Sequence, residues 1–206
     1  MNPQKISPHK TWTKKEKEKN FIYISKLDAA KRQLEISIRL FFRKSDVVAI
    51  HTLAAATHGV LNDLGVKRGI KSIIKNEMLD RIKKGKRIEY MRAVHEAQNF
   101  FKHADKDEKK LLKFSPVQTE FVLYDACVLY NEIIKEEVPI IKVYRTWFCI
   151  KHYELIVPLR TKQSFQKYDE IVDSDDRIRF IEEVLPLAEK NSLSGVKLDV
   201  DNLLRK

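Results

Sequence analysis

Val47-Val48-Ala49-Ile50-His51-Thr52-Leu53-Ala54-Ala55-Ala56-Thr57-His58-Gly59-Val60-Leu61-Asn62-Asp63-Leu64 is apolar almost all round. A surface helix carries one apolar stripe, whereas a helix apolar on every side sits at the centre of a bundle. Ala54, Ala55, Ala56 and Gly59 let neighbouring helices approach it closely. Ser45-Asp46 reads as its N-cap and Gly65 as its C-cap. Upstream, Leu27, Ala30, Leu34, Ile38 and Phe41 recur at steps of three and four, one apolar helical face, with Ser25 and Asp28 placed to cap it.

Downstream, the basic stretch 68–84 places Ile70, Ile73, Ile74, Met78 and Ile82 on one side, which predicts an amphipathic helix ended by Gly85. A fourth helix is expected over 87–104 and a charged connection over 105–115. Pro116 after a Ser115 cap opens a long helix to about 137. Pro139 marks a break or kink. Residues 140–157 read as helix, with strand as the alternative because several are β-branched. Asp176 opens a last helix through Leu185, which Pro186 ends or kinks. The expected fold is all-α: a single bundle of five to seven helices over 23–190, between a basic flexible arm (1–22) and a loose tail (191–206).

A chain of 206 residues is long enough for one good core. Its five glycines include no phosphate-cradling loop and no dinucleotide fingerprint. The two cysteines, Cys127 and Cys149, lie in apolar runs and read as buried thiols, too few for a disulfide framework. They fit a reducing cytosol. No run of roughly 18 apolar residues is present to span a membrane, and the N-terminus lacks the apolar core of a signal peptide. A cytoplasmic protein is expected.

The net charge of +11 is unevenly placed. Residues 1–20 carry six lysines against two glutamates, a net of +4. Residues 66–87 carry nine Lys or Arg against Glu77 and Asp80, a net of +7, so these two segments hold the whole excess. Clustered charge of this kind is an electrostatic footprint for the phosphates of a nucleic acid or another polyanion, the alternative being a solvated helix and tail that keep the protein in solution. The candidate contacts, to RNA under the family resemblance given below, are Lys67, Arg68, Lys71, Lys75, Arg81, Lys83, Lys84, Lys86 and Arg87, joined by Lys102 and Lys106. Phe21, Tyr23 and Trp12 flank the arm, able to stack on bases or to dock the arm onto the body.

On the fourth helix, Tyr90, Val94, Ala97, Phe101 and Ala104 form the expected core stripe. Arg92, Glu96, Asn99 and His103 fall on the opposite side. Asn99 and His103 are one turn apart, near enough to share a ligand. Imidazole titrates near neutral pH, so His103 is a candidate general acid or base with Asn99 as its orienting group. A His in a last helical turn is equally favoured by the helix dipole alone. His95-Glu96-Ala97-Gln98-Asn99 misses the zinc-protease helix, since Asn99 stands where its second His belongs. His51 and His58 read as core hydrogen-bonding residues. A metal site joining His51, His103 and Asp105 is conceivable, but nothing local demands a metal or any other cofactor. Asp125, inside an apolar run, needs a partner, and a Lys or Arg from a neighbouring helix is expected to supply it. Asp173, Asp175 and Asp176 cluster without the glycine of a calcium loop.

Gln98-Asn99-Phe100-Phe101-Lys102-His103 resembles the signature of HEPN domains, small helical bundles of prokaryotic toxin and defence systems. Their pattern is Arg, four to six residues, then His, often with Asn after the Arg. Asn99 and His103 match it, and Gln98 stands at the arginine position. Ser25–Leu64 and Asn99–Asp107 are also similar to a broad group of uncharacterised bacterial proteins. The resemblance implies a homodimer in which Arg and His of two subunits cleave RNA without a metal. Gln98 has no charge to stabilise a pentacoordinate phosphorane. Arg92 is about 16 Å along the axis from His103 at ~1.5 Å per residue, too far to share its phosphate. Lys102 or Lys106 is the available replacement. The alternative expectation is a non-catalytic helical module that dimerises or binds another protein.

Overall fold

The computed structural model describes residues 21–104, 108–156 and 173–190. These residues form an all-α bundle, with no strand among them. The helices are α1 (Lys26–Phe42), α2 (Val47–Val66), a π-helical turn (Ile73–Glu77) running into the one-turn α3 (Met78–Arg81), a 3-10 turn (Lys84–Lys86), α4 (Arg87–Lys102), α5 (Val117–Ile134), α6 (Pro139–Lys151), α7 (Tyr153–Ile156) and α8 (Arg177–Glu189). The arm before residue 21 (with Trp12), Asp105, Lys106 and the tail from 191 lie outside the described residues.

The expected central helix is central. α2 packs on α1 along one side and on α5 along the other, with α4 leaning on it from a third direction. α6 and α8 close the bundle against α1. Two of the expected N-caps form, whereas Ser115 does not cap α5, whose N-cap is Pro116 without a side-chain cap bond and which ends at Ile134 rather than near 137. Ser25 and Asp28 form a reciprocal capping box, and Asp46 accepts the Ala49 N–H at 2.9 Å. Trp147, Tyr144, Phe41, Phe42 and Phe180 fill the joint between α1, α6 and α8. Phe42 stacks on Phe180 at 6.0 Å, Phe41 meets Trp147 edge-on at 4.7 Å, and the Trp147 indole N–H donates to the Ser174 carbonyl. Both cysteines are buried.

Several expectations change in detail. Pro139 does stand at a break, as expected, and it opens α6 after the end of α5 at Ile134, in a first turn where its missing N–H is no loss. Residues 140–151 are helical, so the β-branched residues yield to the packing of the helix's buried aromatic face. Pro186 lies inside α8 without ending it. Gly65 does not cap α2: the helix runs to Val66, and the glycine admits a close approach, since a Cβ there would meet the Ile70 carbonyl at 3.3 Å. Tyr23 is 95% exposed and Phe21 67%, so neither ring docks onto the body. The acidic cluster is structural. Asp176 caps α8 through the Arg179 N–H, Asp173 accepts the Asp175 N–H, and Asp175 pairs with Lys151.

The largest correction concerns the basic stretch. Residues 68–84 are not one helix. Lys67 to Ser72 form a turn with Gly69 at φ +74°, the π-turn and α3 follow, and the chain is extended again at Ile82 (ψ 134°). Like charges four apart (Lys67/Lys71, Lys71/Lys75, Lys83/Arg87) disfavour a continuous helix. The guanidinium of Arg87 instead caps the broken end of α3, donating to the Ile82 carbonyl at 3.2 Å and the Asp80 carbonyl at 3.3 Å.

Candidate nucleic-acid interface

The basic segment is held by one carboxylate. Asp125, on the inner face of α5, is 1% exposed. Its Oδ1 accepts the Ile73 N–H at 3.0 Å. Its Oδ2 accepts the Ile74 N–H at 3.0 Å, the Ser72 hydroxyl at 2.6 Å and His58 Nε2–H at 2.8 Å. The partner of Asp125 is therefore not the expected Lys or Arg. Two backbone N–H groups at the start of a helical turn, a serine and a histidine do the work, the usual chemistry of an anion at a helix N-terminus. Burial pushes the Asp125 carboxyl pKa up, but the hydrogen bond and charge of His58, then the bonds from Ser72 and Ile74, outweigh it and hold the pKa below the usual carboxylate value. Ser72 is the residue that sequence reasoning missed. It caps the π-turn, accepting the Lys75 N–H at 2.9 Å, while its own N–H donates to Asn76 Oδ1 at 2.9 Å. Ser ahead of an apolar pair is a start signal that could have found it.

On this anchored backbone Lys67, Arg68, Lys71, Arg81, Lys83, Lys84 and Lys86 are exposed. Lys71 lies 3.7 Å from Asp80, and Lys86 pairs with Glu89 at 2.7 Å. The other two candidate cations of the segment are half-buried. Arg87 is engaged in the cap just described, and Lys75 has its pKa lowered by burial, an effect that Lys102 adds to and Asp63 and Asp125 oppose. Lys102 is exposed at the end of α4.

α4 is fixed at its far end by rings. His51, buried on α2, meets Phe101 of α4 edge-on at 5.8 Å and Phe114 at 5.0 Å, and those two phenyl rings meet at 5.3 Å. The Nδ1 of His51 lies 3.1 Å from Thr119 Oγ1. Both predicted core histidines thus bond across helix interfaces. Burial pushes the His51 pKa down to about 4. The unfolded chain then binds a proton near pH 6.5 that the folded chain refuses until about pH 4, so stability is full above pH 6.5 and is lost as pH falls between those values. Between pH 7.5 and 5 urea denaturation should show a loss of about 2 kcal/mol from this group. His51→Gln should flatten that loss, and an unchanged slope would contradict this origin.

The predicted core stripe of α4 holds in part. Ala97 is buried and Tyr90, Val94 and Phe101 are half-buried, but Ala104 is exposed, because the chain leaves the helix after Lys102 to carry Phe114 back onto Phe101. His103 is the C-cap, in extended conformation (φ −130°, ψ 131°), with its N–H bonded to the Asn99 carbonyl at 3.1 Å. His103 and Asn99 are both exposed, yet what links them is backbone, not side chain. Asn99 instead shares an open groove with Arg92, His95, Met91, Ile88 and Leu79. His95, passed over except as a failed zinc ligand, donates from Nδ1 to the Met91 carbonyl at 2.9 Å, which leaves Nε2 as the ring's other polar atom. Burial first, then the charge of Lys75, lowers the His95 pKa. Glu96 pairs with Lys110 at 3.1 Å, and Gln98 is half-buried. His51 is buried and His103 exposed, and no group of three or more His, Cys, Asp or Glu among the described residues is placed to hold a metal ion.

No described helix is long and apolar enough to cross a membrane. Comparison of the chain with protein-family models, with curated proteins and with solved structures finds no match.

Proposed function

We propose that this protein is a cytoplasmic, HEPN-like RNA-binding protein that takes the strand along the cations of residues 67–87. One observation carries the reading. Seven exposed cations sit on backbone held at residues 72–74 by the buried Asp125 carboxylate and at residues 80–82 by Arg87, so the charge lies on folded backbone rather than on a solvated tail. Phosphate contacts of this kind position a strand without reading its sequence.

In the same reading Lys102 and His103 lie where the strand leaves the basic segment, and a pair of protomers completes the site. One imidazole takes the proton of a ribose 2′-hydroxyl, whose oxygen attacks the phosphorus. A second, protonated imidazole returns a proton to the departing 5′-oxygen. Two copies of His103, one from each protomer, supply this pair without a metal, and Lys102 supplies the charge that Gln98 lacks. Asn99 orients the ring through the turn they share. With purified protein and labelled RNA, His103→Ala should lower the cleavage rate about a hundredfold or more, and leave affinity unchanged. Undiminished cleavage by that variant removes the assignment.

A non-catalytic contact module is the second reading, and the open groove on α4 favours it. Ile88 is 70% exposed there, beside Met91, an apolar strip suited to a second copy or another protein. Complex formation through that strip would be nearly indifferent to salt, whereas RNA binding weakens steeply with it.

A further inference from the structure

A cavity of about 530 Å³ opens between the π-turn and α3 on one side and α4, α5 and α6 on the others. Its interior takes no part in the RNA reading above, although Arg81 of its lining is one of the cations of that reading. One wall is aromatic: Tyr124 stacks on Phe148 at 4.1 Å, and Phe121 meets Phe148 edge-on at 5.1 Å. Ile74, Val94 and Val122 face it. The polar groups of the lining are spoken for at depth. Asp125 carries the four bonds already described, and the Tyr90 hydroxyl donates to the Ile74 carbonyl at 2.8 Å. The cavity opens to solvent and its lining is mainly apolar, so an apolar guest would take that surface out of water. Its volume is that of ordinary small-molecule sites.

The rim gives the charge of the guest. Arg81 lines the mouth, is exposed, and makes no ion pair among the described residues. Glu77 shares the rim, but both belong to residues 66–87, whose net charge is +7, so the local field favours an anion. A guanidinium is the side chain suited to a planar oxyanion.

We propose that this cavity binds a small amphipathic monoanion, its apolar, ring-bearing body against Tyr124 and Phe148 and its carboxylate or sulfonate on Arg81. The full chain is titrated with anilinonaphthalene sulfonate, which has this chemistry, and the bound dye is then displaced with laurate. Saturable binding of one dye per chain is expected, with displacement by laurate. Val94→Trp, which fills the space without altering charge, should abolish it. Arg81→Gln should weaken it about tenfold, the loss of one charge-assisted contact. Circular dichroism and melting confirm that each variant is folded, and Ala93→Leu replaces Val94→Trp if the tryptophan does not fit. Absence of saturable binding overturns the proposal, as it would if the chain's own residues fill the space. So does dye binding that a folded cavity-filling variant leaves unchanged, since the dye would then sit on the basic surface. RNA affinity is measured on the Val94→Trp variant, which alters none of the cations of residues 67–87, so failure of the RNA reading and failure of this one are distinguishable.

Discussion

Asp125→Ala is expected to lower the unfolding free energy by about 4 kcal/mol, the range for removing one partner of a buried charged cluster. The deletion leaves the Ile73 and Ile74 N–H groups, the Ser72 hydroxyl and His58 Nε2 without the buried carboxylate that accepts from them. Each stranded donor bears a desolvation cost of its own. A loss of that size is a large share of the roughly 5–15 kcal/mol that holds a domain folded. The effect should also be local. Amide exchange protection should fall first over residues 72–81, because their attachment to α5 passes through this carboxylate. Equilibrium denaturation gives the global figure and hydrogen exchange the local one. A loss below about 1 kcal/mol, ordinary for a surface site, would mean the carboxylate is not the anchor. Because the folded pKa of Asp125 is held below its ordinary 3.8, this stabilisation is present at neutral pH and disappears only as pH falls below that value.

Replacing Lys83, Lys84 and Lys86 together by alanine is expected to weaken RNA binding about a hundredfold at about 0.1 M salt, since each phosphate contact to a single strand contributes roughly 0.7 to the slope of log K against log salt. All three are exposed, and the one ion pair they make among the described residues, Lys86 with Glu89, has both side chains in solvent, where such pairs are worth little. The melting temperature should therefore stay where it is, which separates lost binding from lost folding. Unchanged affinity in a folded triple variant would place the RNA elsewhere or nowhere.

The helices were legible wherever side chains set them. Asp46 before an apolar run, the Ser25/Asp28 capping box and the three-and-four stripe of α1 carry their meaning in residue type and spacing, and each is realised. Residues 140–151 were ambiguous because β-branching argues for strand locally, while burial of Trp147 and Phe148 against neighbouring helices decides for helix. The basic segment was misread for a different reason. Its apolar spacing is helical, but its turn at Ile73 and Ile74 is set by hydrogen bonds from its own backbone to Asp125, 52 and 51 residues away, and a backbone N–H leaves no mark in a sequence. The same limit applies to the candidate site. Exposure of His103 and Asn99 followed from the helical projection. That His103 leaves the helix did not, because the pull of Phe114 on Phe101 and His51 is a tertiary contact.

The most direct test of RNA binding by the anchored basic segment is the salt dependence of affinity for a labelled single-stranded RNA, measured on the unaltered protein and on the triple-lysine variant. The unaltered protein should give a steep negative slope and the variant one shallower by about 2, three contacts fewer. Two equal slopes, or a flat line for the unaltered protein, would contradict RNA binding by this segment.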